Sequence, residues 1–238
     1  MTSKVFFQKA KAKGITNIQI VETTTNIGQI ELINKELDTF EISNHTEYQL
    51  KAEYNGKTVK ATSDYLDENI LDTLIMKATY TDSKYQDDYL MDKTNNNKIM
   101  DSQQIDISKE LKTLKQLDDL RKEYPEINSL SLSYSEMYEK KRIANSNGVD
   151  IETACHLYEF IPEIIIKEKD NITSYDRVYL KTNKTDLNMK ENLIQDIKMA
   201  LKQAKKEKLQ TKKYNIIVDS AVMKSILTNF IDMLSASN

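Results

Sequence analysis

The sequence predicts an α+β protein in which helices pack on antiparallel sheets. Three observations carry that reading. Alternating or β-branched runs follow one another between residues 18 and 62, and again between 130 and 182. Segments with helical periodicity bracket each of these regions. The turn signals inside them are short, Asn55-Gly56 and Asn145-Ser146-Asn147-Gly148, and short turns join antiparallel neighbours.

Val5 to Lys13 reads as a short helix stopped by Gly14. Ile18 to Thr25, Ile27 to Ile33, Thr39 to Ser43, Glu47 to Tyr54 and Thr58 to Thr62 read as strands. Ser63-Asp64 reads as the start of a helix, with Leu66, Ile70, Leu74 and Ala78 at helical spacing. Thr81 to Asp106 is polar and weakly periodic, loosest at Asn95-Asn96-Asn97, and reads as a connection. Ser108 can cap a helix whose face is Leu111, Leu114, Leu117 and Leu120, closed by Pro125. Leu130 to Tyr138, Lys141 to Ala144, Val149 to Tyr158, Glu163 to Glu168 and Ser174 to Thr182 form a second β region. Leu193, Ile197, Ala200, Leu201 and Ala204 mark the next helix. Ile216-Ile217-Val218 reads as a short buried strand and Ala221 to Leu234 as the last helix.

The expected organisation is a first α+β unit at 1–80, a polar connection at 81–106, and a second unit from 107 to 238. The order helix, strands, helix occurs twice, and Glu31 to Glu41 faintly echoes Lys141 to Glu152, so a duplicated unit is expected.

Composition narrows the function classes. Formal net charge is −3, which provides no general attraction to nucleic acid or to an anionic membrane. The basic run from Lys202 to Lys213 has no interleaved aromatics and reads as a solvated helix end. No apolar run reaches membrane-spanning length, and Met1 to Lys11 lacks the features of a secretory signal. A single cysteine, Cys155, allows no intrachain disulfide, which suits a reducing compartment; a cytoplasmic protein is expected.

Few residues invite catalysis. The only histidines are His45, expected in a surface turn, and His156, beside Cys155 on a strand. Neighbours on a strand point to opposite faces, so Cys155 and His156 cannot readily share a metal or form a nucleophile–base pair. Four glycines form no phosphate-binding pattern. Neither a metal nor another cofactor is expected. Thirteen tyrosines, many on strands, could line a peptide-binding face, but they fit half-buried sheet positions better.

Several blocks carry a family resemblance. Ala61-Thr-Ser-Asp-Tyr-Leu-Asp67 leads into a helix, and the most specific block runs from Tyr134 through Arg142-Ile-Ala-Asn-Ser-Asn-Gly148 to Asp150. Tyr214 to Ala236 reads as a strand and helix. Together with the opening helix they resemble the N-terminal region of the TldD/PmbA family, once called modulators of DNA gyrase and related to metallopeptidases. Arg142, Asn145, Ser146 and Gly148 are the family-motif turn. The TldD kind carries a His-Glu-x-x-x-His zinc motif on a helix after a short strand; the PmbA kind, also called TldE, lacks it and pairs with the first. Here the corresponding positions are Thr228, Asn229 and Met233, which supply neither imidazole ligands nor a general base.

The resemblance therefore implies a non-catalytic PmbA/TldE-like subunit. Its partners would be a TldD-like protease subunit or a second copy, with peptide or unfolded protein as substrate. A stand-alone family peptidase with its ligands beyond Asn238, and a gyrase-interacting module, are the alternatives. The expected chain is a piece of a longer protein. Its last helix has an apolar face of Val222, Ile226, Phe230 and Leu234, widened by Met223, Leu227 and Ile231, which a further domain or a second copy would cover.

Overall fold

The computed structural model describes residues 1–81, 105–168, 171–205 and 210–234. They fall into two units, Met1–Lys205 and Lys206–Asn238. The first is α+β. Its strands are β1 (Asn17–Ile33), β2 (Glu36–Tyr54), β3 (Lys57–Ser63), β4 (Ile127–Asn145), β5 (Asp150–Glu168), β6 (Asn171–Asp176) and β7 (Tyr179–Lys181). They form one antiparallel sheet in the order β3-β2-β1-β4-β5-β6, with β7 also pairing β5. Among the described residues, four α-helices accompany it: α1 (Ser3–Ala12), α2 (Asn69–Tyr80), α3 (Ser108–Asp118) and α4 (Met189–Ala204).

The strands are fewer and longer than the sequence suggests. Ile18–Thr25 and Ile27–Ile33 are one strand, as are the two runs within β2, those within β4 and those within β5. The polar stretches that look like breaks continue the ladder, Thr25 opposite His45 and Asn26 opposite Asn44. Side chains join across it, with Thr24 Oγ1 3.0 Å from Thr46 Oγ1 and Asn44 donating to Asn26. His45 therefore lies within a strand, not in a surface turn. Pro162 is tolerated inside β5 because it falls between the part paired with β7, ending at Phe160, and the part paired with β6, beginning at Glu163.

Local chemistry sets the helix limits. Thr2 Oγ1 accepts from Val5 N at the start of α1, and Gly14, at φ +85°, ends it. α2 begins at Asn69 rather than near Ser63, because Asp67 Oδ1 accepts from Asn69 N and Ile70 N. Ser63 remains in β3. Ser108 does not cap α3; its own N–H is held by Asp106 Oδ1 at 3.0 Å. Asn55 and Gly56 both have positive φ, as a two-residue hairpin turn of this type requires.

Two apolar cores lie on the same face of β1. Near its start, Ile18 and Ile20 pack with Leu50, Ala52, Val59 and Ala61 under Phe6 and Ala10 of α1 and Leu71 and Leu74 of α2. Near its end, Ile30 and Leu32 pack with Leu132, Tyr134, Phe160 and Ile164 under Leu114 of α3 and Ile197 of α4. Each fully buried side chain of this size contributes roughly 1.5–3 kcal/mol. Between the cores the same face carries a polar band, including Glu22, Thr24, Tyr138, Lys140, Arg142 and Glu152. The cavity over this band is lined by strand residues, and its polar side chains make the middle of each long strand read as a break.

The sheet is arranged as two hairpins related about the β1–β4 pair. The β1–β2 hairpin is extended by β3 on one side, and the β4–β5 hairpin by β6 on the other. Because β1 and β4 are antiparallel, each hairpin's turn lies beside the start of the other hairpin. The first turn, Asn34-Lys35 at positive φ, docks on β4: Asn34 Oδ1 accepts from Leu130 N, and Asn34 N donates to Leu130 O. The second docks on β1: Ser146 Oγ accepts from Ile18 N, and Ser146 N donates to Ile18 O. These two docked turns lie in the segments whose sequences echo each other.

In the second unit, α5 (Ser220–Leu234) forms as expected. Ile216-Ile217-Val218 does not form a strand, and Ile216 and Ile217 are exposed. A strand needs a ladder partner, and none forms with these residues among those described. The side chains of Val222, Met223, Ile226, Leu227, Phe230, Ile231 and Leu234 are exposed. Most of the polar connection at 81–106 lies outside the described residues.

Candidate functional site

An open cleft of about 840 Å³ lies between α1 and the β4–β5 turn. One wall is the α1 face Lys4, Phe7, Gln8 and Lys11. Those residues recur at helical spacing and are separate from the stripe of Phe6 and Ala10 that α1 buries in the core. The opposite wall is the turn from Asn145 to Gly148. Ile15, Ile18, Ala144 and Val149 form an apolar floor.

The turn is held from inside. Asn145 is buried, and its Oδ1 accepts from Asn147 N at 2.9 Å and from Val149 N at 3.1 Å. Gly148 has φ +91° with open space around its Cα. A Cβ there meets no neighbour within 4 Å, so the cost of a valine lies in the backbone strain. Gly148→Val should lower stability by about 1–2 kcal/mol. An unchanged midpoint in denaturant titration would contradict it.

Arg142 ties this turn to the rest of the sheet. Its Nε and Nη2 donate to the two oxygens of Asp150 at 2.7 and 3.1 Å, and its Nη1 donates to Ser3 Oγ at 3.0 Å. Glu22 lies 3.6 Å from the guanidinium. The bonded Asp150 carboxylate raises the pKa of Arg142 further. Arg142 thus brings little net charge to the cleft. It also lines a smaller cavity of about 230 Å³ in the polar band, where Lys140 and Glu152 pair at 3.3 Å.

The four motif-turn residues, Arg142, Asn145, Ser146 and Gly148, therefore line one cleft. Thr228, Asn229 and Met233 lie on α5 in the second unit, exposed; Thr228 Oγ1 donates to Lys224 O at 2.9 Å. Sequence reasoning missed the α1 wall. Lys4, Phe7 and Lys11 share a helical spacing, but nothing in the sequence says which turn faces them.

It also missed a cluster around His156. The Nε2 of His156 lies 2.9 Å from Glu136 Oε1, and its Nδ1 lies 3.2 Å from the Tyr158 hydroxyl. The imidazole stacks on Tyr158 at 4.4 Å and meets Tyr138 edge-on. Tyr134 donates to Glu136 Oε2 at 3.1 Å, and burial followed by the nearby carboxylates drives its phenol pKa far up. The alternation Tyr134-x-Glu136-x-Tyr138 opposite His156-x-Tyr158 was the available signal. Cys155, next in sequence, is exposed. Among the described residues, no group of three or more His, Cys, Asp and Glu side chains is placed to hold a metal. None of their helices is long and apolar enough to cross a membrane.

Antiparallel hairpins with helices on one face define an α+β class, and comparison with known proteins places the chain within it. Residues 101–208 match the profile of the PmbA/TldA metallopeptidase central domain. The fold is similar to that of a Bacteroides thetaiotaomicron protein provisionally named a modulator of DNA gyrase. There the TM-score is 0.79 at 17% identity, covering 98% of this chain and 56% of that one. A Thermotoga maritima protein with the same provisional name matches with TM-score 0.66 at 18% identity, covering 83% of this chain and 46% of that one. TldE from Thermococcus kodakarensis matches with TM-score 0.59 at 11% identity, covering 84% and 46%. At these identities the likeness is one of fold. The chain spans about half the length of these solved structures. No curated protein matches it.

Proposed function

We infer that this chain is the N-terminal region of a PmbA/TldE-like, non-catalytic subunit that partners a TldD-type zinc protease in peptide processing or degradation. The observation that carries the reading is the chemistry of α5. Where the TldD kind has His, Glu and His, this chain has Thr228, Asn229 and Met233, and no histidine follows His156. Threonine, asparagine and methionine cannot replace two imidazoles and a general base at a hydrolytic zinc. The central-domain match over residues 101–208 and the likeness of fold to TldE support the same reading.

Two measurements test it. The purified chain should hold no stoichiometric zinc and show no chelator-sensitive peptidase activity. One zinc per chain, lost on mutating His45 or His156, contradicts the reading. The complete protein, co-expressed with a TldD-type subunit, should co-purify with it, and peptide cleavage should require that subunit. Zinc-dependent cleavage by the complete protein alone would instead establish a stand-alone peptidase.

A further inference from the structure

The α1 cleft has an electrostatic character that its walls do not neutralise. Lys4 and Lys11 line it, and among the described residues neither has an ion-pair partner. Arg142, the third cation of the cleft, is bonded to Asp150. Between the two lysines, α1 presents partly exposed Phe7, and the floor below is apolar.

The backbone of the turn decides what kind of anion fits. A phosphate site at a turn needs free, converging N–H groups. Here every N–H from Asn145 to Val149 is already used. Asn145 N donates to Val149 O, Ser146 N to Ile18 O, Gly148 N to Asn145 O, and the N–H groups of Asn147 and Val149 to Asn145 Oδ1. The turn offers no anion cradle, so binding rests on the two ammonium groups. Lys4 and Lys11 are seven residues apart on one helix, ~10 Å along its axis at 1.5 Å per residue. That span is too wide for both to grip one phosphate. In an extended chain one face recurs every second residue, so carboxylates four residues apart, roughly 13 Å, come within reach of flexible lysine side chains and leave one same-face residue midway.

We propose that this cleft binds a short, extended acidic peptide, with carboxylates on Lys4 and Lys11 and an apolar side chain between them on Phe7. The proposal rests on the peptide-handling reading above and specifies where the subunit holds peptide and which peptides it prefers. It assigns a role to the motif turn: Arg142, Asn145 and Ser146 fix the wall, and α1 supplies the contacts. The volume suits a ligand of a few residues.

The test is direct binding to this chain by fluorescence anisotropy. The probe is a labelled eight-residue peptide with two glutamates four residues apart and a phenylalanine midway between them, so that all three side chains share one face of the extended chain. The peptide should bind, weaken as salt is raised, and lose at least about tenfold in affinity when both glutamates become glutamine. The double variant Lys4→Glu with Lys11→Glu, both exposed positions, should lose the same factor while keeping the wild-type circular dichroism and melting midpoint. Lys198→Glu, exposed on α4, is the control and should change little. Equal loss in the control, undiminished binding in the double variant, or no binding at millimolar peptide would each overturn the proposal. So would tighter binding of a single-stranded oligonucleotide of equal charge. Co-purification with a TldD-type subunit is independent of all these outcomes, so a failed cleft leaves the subunit reading standing and the converse holds.

Discussion

Gly28→Val should destabilise the first unit by about 3 kcal/mol or more, at the upper end of what overpacking a core costs. Gly28 lies in the middle of β1, where a glycine is ordinarily a weakness. Here its missing side chain makes room. A Cβ at this position would stand 2.7 Å from Ile105 Cγ2 and 2.9 Å from Ile107 Cγ2. Both isoleucines are buried and pack into the core beneath α3 and α4. Valine adds two further methyl groups beyond the one that already collides. Alanine, with only the Cβ, should cost about 1–3 kcal/mol, less a few tenths gained by restricting the unfolded chain. The cause can be isolated by a double-mutant cycle. Ile105→Ala alone leaves a cavity and destabilises, but combined with Gly28→Ala the two losses should fall well short of additive. Strict additivity in urea denaturation would show that the approach of Ile105 to β1 is not what selects glycine.

This glycine also shows what the sequence withholds. Gly14, Gly56 and Gly148 are legible because each ends an element or completes a turn, and each has positive φ. Gly28 needs no special backbone, and its reason lies 77 residues later in Ile105. The class of the fold was legible for the opposite reason. Alternation and helical periodicity are local, and they correctly located α1, α4, α5 and the core of nearly every strand. Strand ends were not legible, because a break and a polar mid-strand look alike. Thr23 to Asn26 and Ser43 to Thr46 are polar because, among the described residues, the helices pack on the two ends of the sheet face, and helix placement is a tertiary fact. Ile216 to Val218 failed in the other direction: an apolar, β-branched run lacks a described strand to pair with. At the candidate site, the turn could be read from Asn145 to Gly148, since Asn and Gly in that pattern announce backbone geometry. The lysines facing it could not, because contact between α1 and the second hairpin joins residues more than 130 positions apart.

Asn145→Ala should cost about 2–5 kcal/mol, more than any change to the glycine three residues on. Among the described residues, the carboxamide oxygen of Asn145 is the acceptor for the N–H groups of both Asn147 and Val149, and Val149 is buried. Alanine removes that oxygen and supplies nothing in its place. A buried donor left without a partner costs roughly 1–3 kcal/mol, and the Asn147 N–H, nearer to water, recovers part of its loss. Asn145→Asp keeps an oxygen at the same position and should retain most of the stability near neutral pH, which separates loss of the acceptor from loss of volume. The consequence extends to β1, because the turn that Asn145 organises also carries Ser146, whose backbone and hydroxyl both bond Ile18. Hydrogen exchange should therefore quicken in Asn145→Ala at Val149 and at Ile18 together, while amides around Leu130, at the other docked turn, stay protected. If Ile18 kept its protection while Val149 lost it, the turn would be a local feature of one hairpin. Coupled loss at the two sites would show that it is the clasp by which the second hairpin holds the first.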